Sequence, residues 1–213
     1  MTAATLSAQD LFRAAYENRY TWDSNFPGFT ATVTMTKDGQ SYTGQVKVDA
    51  KLKSEITGFD QGEVLNAVKE QIWEITIHRV RRSFEDTHAK NTFSFGNKDE
   101  DGTQEILVGG ANAGDRYKVK DNIVTLVHRH IHGMVVTIDT LSVHPTEAGY
   151  LSHRYTSIYH NPQTGEQVKP RQHFTDEYQK VGGYYILSKR TIADEQGNTV
   201  TFSLDNIQLL NTV

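Results

Sequence analysis

From Thr92 onward, turn-forming clusters punctuate the sequence so often that only short extended segments fit between them. Lys120-Asp121-Asn122, His144-Pro145-Thr146-Glu147-Ala148-Gly149, Asn161-Pro162-Gln163-Thr164-Gly165, Val181-Gly182-Gly183 and Asp194-Glu195-Gln196-Gly197-Asn198 recur every ten to twenty residues or so. The runs between them are residues 117–120, 123–130, 134–143, 150–160, 173–180, 184–192 and 200–210, rich in β-branched and aromatic side chains. Strands joined by short turns pair with their sequence neighbours, so a long antiparallel meander is the expected topology.

The first part of the chain reads differently. Ser7-Ala8-Gln9-Asp10 has capping-box spacing, with Asp in place of the usual Glu, and Leu11, Phe12, Ala15, Tyr16 and Arg19 follow at helical spacing. A short N-terminal helix over 7–19 is predicted, ending in the aromatic loop Tyr20-Thr21-Trp22-Asp23-Ser24-Asn25-Phe26-Pro27-Gly28. Residues 29–35 and 42–48 form a hairpin about Lys37-Asp38-Gly39-Gln40. A long helix is predicted over 62–88. Val64, Leu65, Val68, Ile72, Ile75 and Arg79 fall on one stripe, and Trp73, Ile77, Val80 and Phe84 fall on another. A helix apolar on two sides belongs inside. The class is therefore α+β, with one buried helix, a short N-terminal helix and an antiparallel sheet. No linker or repeat interrupts residues 1–213, which are expected to form a single domain.

Composition excludes several functions. The formal charge of −4 argues against nucleic-acid binding. With no cysteine there is no disulfide, thiolate nucleophile or iron–sulfur cluster. Neither a leader-like apolar segment nor a membrane-spanning run is visible, so a soluble cytoplasmic protein without a transmembrane segment is expected.

His128, His130 and His132 alternate within a strand-like run, which places three imidazoles on one face. One strand cannot surround an ion, so a metal site at His128, His130 and His132 needs convergence with His144, His153 or His160 from neighbouring strands. The bland alternative is a polar outer sheet face, and no metal or cofactor is assigned. Arg79 follows the apolar stripe of the long helix and needs a carboxylate or an anionic ligand. Arg81–Glu85 and Arg82–Asp86 have the spacing of pairs along a helix. Asn97-Lys98-Asp99-Glu100-Asp101-Gly102 imitates a calcium loop, but Val108 stands where the closing Glu belongs, so a hairpin turn is expected. The glycine-rich segment 109–116 lacks the Lys-Ser/Thr of a phosphate loop. Leu151, His153, Tyr155, Ser157 and Tyr159 share one strand face, a polar-aromatic pattern that suits a pocket wall.

The order of elements resembles the lipoprotein-carrier type of fold. That likeness implies a strongly curved antiparallel sheet, a half-barrel, wrapped around a helix and enclosing an apolar space. A second likeness is to a family of cyanobacterial and plastid proteins known only as a domain of unknown function. It is carried by residues 10–22, Ile77-His78-Arg79-Val80-Arg81-Arg82-Ser83-Phe84, Val127-His128-Arg129-His130-Ile131-His132-Gly133 and Gly182-Gly183-Tyr184-Tyr185. It implies a phototroph and a cytosolic or stromal location. The expected function is binding or carriage of an apolar or amphiphilic molecule such as a lipid, carotenoid or tetrapyrrole. Phe12, Tyr16, Trp22, Trp73, Arg79, His128, His130, His153 and Tyr155 are the candidate ligand contacts. An assembly or interaction factor for a photosynthetic complex, with a protein partner, or an enzyme using the His128/His130/His132 cluster, are the alternatives.

Overall fold

The computed structural model describes residues 6–211. The elements are α1 (Ala8–Glu17), β1 (Gly28–Lys37), β2 (Gln40–Asp49), β3 (Ser54–Thr57), α2 (Glu63–Ile77), α3 (Phe84–His88), β4 (Asn91–Lys98), β5 (Gln104–Gly110), β6 (Arg116–Lys120), β7 (Ile123–Ile131), β8 (Met134–Thr146), β9 (Gly149–His160), β10 (Gln167–Val181), β11 (Tyr184–Asp194) and β12 (Thr199–Leu209). The twelve strands follow one open order, β3-β2-β1-β12-β11-β10-β9-β8-β7-β6-β5-β4. From β4 to β12 each strand neighbours the next, as the turn spacing predicts. The departure is β1, which pairs antiparallel with β12. The chain divides into two compact units. Unit 1 holds the described residues up to Tyr20 with Arg82–Gln172, and unit 2 holds Thr21–Arg81 with the described residues from His173 on. The last crossing falls inside β10, which explains why no linker composition marks it.

In unit 1, Ser7 Oγ accepts the Asp10 N–H at 3.1 Å and donates to the Asp10 carboxylate at 2.6 Å, the predicted cap with the shorter acid. α1 ends at Glu17, two residues earlier than expected. Asn18 and Tyr20 exchange backbone hydrogen bonds with Tyr150, each of 2.9 Å, so the chain is already pairing with β9. Gly149 is held at φ 121, and a Cβ there would collide with the Asn18 carbonyl oxygen. α1 lays Ala8, Phe12, Ala15 and Tyr16 on a core completed by Phe84, Ile106, Val108, Tyr117, Val119 and Val124. Phe12 stacks on Tyr117 with ring centroids 4.2 Å apart. His88 sits edge-on to Phe12 and Tyr16, at 5.2 and 5.1 Å. Its Nδ1 takes the Asn91 amide at 3.1 Å. Burial first, then Arg129 and Arg19, pushes the His88 imidazole down to about 4.

The predicted long helix is two helices. Trp22 N–H donates to the Arg79 carbonyl at 2.9 Å and pairs as a bridge with Val80, so the chain is extended there. Ser83 then caps α3 by accepting the Asp86 N–H at 3.0 Å. Arg81 and Arg82 therefore share no helix with Glu85 and Asp86. Glu85 pairs with Arg13 at 2.6 Å instead.

In unit 2, α2 buries one stripe, Leu65, Val68, Ile72, Ile75 and Thr76. The second apolar stripe does not exist: Trp73 is 58% exposed, and Phe84 belongs to α3. Polar side chains on α2 meet a buried cation. Arg190 on β11 donates to Gln71 Oε1 at 3.0 Å and Glu74 Oε2 at 3.1 Å. Its other edge grips Asp176 on β10 through two bonds of 2.8 and 2.7 Å. Asp176 is fully buried. Burial raises Glu74 above the ordinary carboxylate value, against the pull of Arg190. The loop before β1 is also core: Trp22 stacks on Phe26 at 4.0 Å and donates its indole N–H to the Tyr185 carbonyl at 3.0 Å.

Three expectations follow. Ile72→Ala costs about 2–5 kcal/mol in urea unfolding, whereas Trp73→Ala stays within about 0.5 kcal/mol of the parent; the reverse order would place the other face of α2 inside. Asp176→Asn, which removes the bidentate carboxylate and leaves the buried Arg190 charge with Glu74 alone, costs about 3–5 kcal/mol. His88, lowered in the folded state, contributes stability that is complete above the unfolded value of 6.5 and is lost as pH falls toward about 4. Glu74, raised, acts in the opposite sense, its contribution fading as pH rises through its folded value. Urea titrations at pH 7 and 4.5 should show the parent losing about 2 kcal/mol more than His88→Gln.

Candidate ligand-binding groove

The β4–β5 hairpin of unit 1 is held by its own polar groups. Asp99 N–H donates to the Thr103 carbonyl at 2.8 Å, Gly102 N–H to the Asp99 carbonyl at 3.0 Å, and Thr103 N–H to Asp101 Oδ1 at 3.1 Å. Two lysines of β6 clamp it, Lys118 to Asp99 at 2.6 Å and Lys120 to Asp101 at 2.7 Å. The Lys120 bond holds Asp101 below the usual carboxylate range, helped by Thr103. These lysines occupy the carboxylates that imitate a calcium loop. Between Phe95 and Lys98 the β4–β5 register shifts. Gln104 spans the irregularity with its amide, donating to the carbonyls of Gly96, Asn97 and Glu105 at 3.1, 3.3 and 3.0 Å.

Beside this clamped turn lies an open groove of about 380 Å³. Leu6 and Leu11 line it from the start of α1, Phe95 from β4 and Val119 from β6, while Lys98, Asp101, Gln104, Lys120 and Asp121 form its polar rim. Leu6 and Phe95 are 60% and 47% exposed, an unusual state for large apolar side chains sharing a concavity. Lys98 has no carboxylate partner among the described residues.

The residues chosen from sequence are dispersed. Phe12 is 1% exposed in the unit 1 core. Tyr16 is buried beside it, its hydroxyl 2.9 Å from Thr87 Oγ1 and its ring under the Arg19 guanidinium at 3.9 Å. Trp22 is core in unit 2, and Trp73 faces solvent. Arg79 is half-buried, its Nη2 donating to the Tyr178 hydroxyl at 3.3 Å. That phenol is pushed up to about 12 by burial. His153 and Tyr155 are half-buried on β9, with His153 packed on His144 at 4.2 Å. His128 and His130 share a face of β7, but His132 leaves the strand at a turn with φ 49, so the row of three is a pair. Nor does the pair converge with His144 or His153. Strand register sets His130 against Val135 and Val135 against His160, whereas His144 lies nine residues further along β8. Leu6, Leu11, Phe95 and Lys98 were missed. Phe93 and Phe95 alternate toward one face of β4; Phe93 reaches the core and Phe95 runs past it.

The class this defines is an open, mostly antiparallel twelve-stranded sheet with a few helices and a half-apolar surface groove. The chain belongs to the family described as protein of unknown function (DUF3386), whose model matches residues 3–210. No protein of curated function matches it in sequence. Among solved structures, a LolA superfamily protein from Nitrosomonas europaea is 8% identical, with 98% of this chain and 96% of that one covered and a TM-score of 0.33. A domain titled as outer membrane lipoprotein-sorting from Vibrio parahaemolyticus is 10% identical, with 97% and 93% covered and a TM-score of 0.36. A DUF1329 family protein from Desulfovibrio piger is 8% identical, with 97% and 93% covered and a TM-score of 0.28. No helix among the described residues is long and apolar enough to cross a membrane.

Proposed function

We propose that this protein binds a single-chain amphiphile in the unit 1 groove, its alkyl tail on Leu6, Leu11, Phe95 and Val119 and an anionic head at Lys98. The observation that carries the reading is the conjunction of Leu6 and Phe95, both exposed, with an ammonium that has no carboxylate partner among the described residues. Covering the exposed parts of the two side chains is worth on the order of 2–3 kcal/mol, to which the tail adds its own transfer from water. At about 380 Å³ the groove lies toward the small end of ligand sites. One alkyl chain suits that space better than a carotenoid or a tetrapyrrole. Binding in an open groove of this size belongs in the micromolar range.

Titration with dodecanoate, dodecyl phosphate and dodecyltrimethylammonium tests this. Phe95→Ser and Leu6→Ser, both at exposed sites that leave the fold intact, weaken all three about tenfold. Lys98→Glu weakens the two anions and spares the cation. Absence of saturable dodecanoate binding below about 1 mM, or variants that bind like the parent, would end the proposal.

A further inference from the structure

A second site lies elsewhere in unit 1, on the sheet face that carries His128 and His130. Their rings are 6.1 Å apart and nearly perpendicular, at 86°. Register extends this face across four strands. Arg116 and Thr137 flank His128, Val135 stands opposite His130, and His160 stands opposite Val135. Directly paired residues point to the same side, so His160 shares the face with both histidines of β7, two strand spacings or about 10 Å away in backbone terms.

The ring nitrogens are already divided between two tasks. His130 Nδ1 lies 3.1 Å from Asp115 Oδ1, which also accepts the His130 backbone N–H at 2.9 Å. Asp115 is 3% exposed. A carboxylate only accepts, so Nδ1 is the nitrogen that carries a proton, and Nε2 is the one placed to bind an ion. His128 Nδ1 lies 2.8 Å from Thr137 Oγ1, a hydroxyl that can accept the same proton. Neither Nε2 has a hydrogen-bond partner among the described residues. Gly114 leaves room for the His130 ring, since a Cβ there would stand 3.3 Å from its Cε1. The two nearby guanidiniums face carboxylates, Arg116 with Glu105 and Arg129 with Asp115, each at 3.6 Å.

We propose that His128 and His130 chelate a divalent first-row ion of the Zn(II), Ni(II) or Cu(II) kind through Nε2, with His160 as a third donor and water in the remaining positions. Imidazoles whose second nitrogen is held by a hydrogen bond are the usual form of histidine metal ligands, and imidazole suits these three ions. Chelation needs the lone pairs brought to ~2.0–2.1 Å from the ion by rotation of the rings. This ligand set differs from the alternating row read in the sequence: His132 is lost to the turn, and register selects His160 over His144 and His153.

Untagged, chelator-stripped protein is titrated with Zn(II) and with Ni(II) by calorimetry, and native mass spectrometry counts the ions. One ion per chain is expected. His128→Gln and His130→Gln each weaken binding at least about tenfold, His160→Gln weakens it less, and Asp115→Asn weakens it about 10–100-fold with the stoichiometry kept. His132→Gln, His144→Gln and His153→Gln bind like the parent. The half-exposed histidine variants remain informative even where Asp115→Asn fails to fold. Binding weaker than about 100 µM, or binding abolished by His144→Gln or His153→Gln but not by His128→Gln, overturns the site.

Discussion

α1 is ten residues long, too short to persist in water on its own propensity, and Phe12 is what keeps it. That one ring touches Tyr16 on its own helix, Phe84 and His88 on α3, Phe93 on β4 and Tyr117 on β6. Edge-on and stacked contacts add to the burial of each ring, so the cluster orients as well as holds. The groove inherits this arrangement. Leu6 and Leu11 take their places from the start of α1, and Phe95 takes its place from the strand that Phe93 anchors. A residue with no part in ligand contact thus sets the position of three that line the groove.

Unit 2 is organised by charge instead. A guanidinium removed from water demands directional partners, and Arg190 finds them on a strand and a helix at once. This accounts for the single buried stripe of α2. Gln71 and Glu74 lie one turn apart and are spent on Arg190, so that flank of the helix is polar by necessity. Trp73 then falls on the side facing water, where its stem neighbours are Lys69 and Glu70.

Local signals in the sequence proved dependable where one residue acts on its own backbone. Ser7 caps α1, Asp38 and Gly39 take positive φ in the β1–β2 turn, and the later turns fall where Gly, Asn and Pro cluster. Long-range contacts were not legible. The break between α2 and α3 comes from Trp22, far away in sequence, drawing residues 79–80 into an extended pairing. Apolar periodicity alone cannot register that competition, and it therefore ran two helices together. The His144-Pro145 cluster looks like a turn, yet β8 continues to Thr146 and the chain reverses only at Glu147-Ala148. Moving that reversal shifted which histidines face one another. The groove was illegible because it is made of residues that break the pattern: an alternating Phe that overshoots the core, and a lysine beside a register shift.

β4 ends the strand order, and among the described residues nothing pairs with its outer edge. It is eight residues long and free of proline, and Lys98 is its sole charge. An edge of that kind is a template for a second chain, and a single lysine at its end is a common deterrent to such pairing. In the proposed complex the same ammonium meets the headgroup, so an anionic guest would cancel the charge that keeps two edges apart. Were that guest bound, occupancy and edge pairing would be linked through one side chain, with the tail over Phe95 and the head at Lys98.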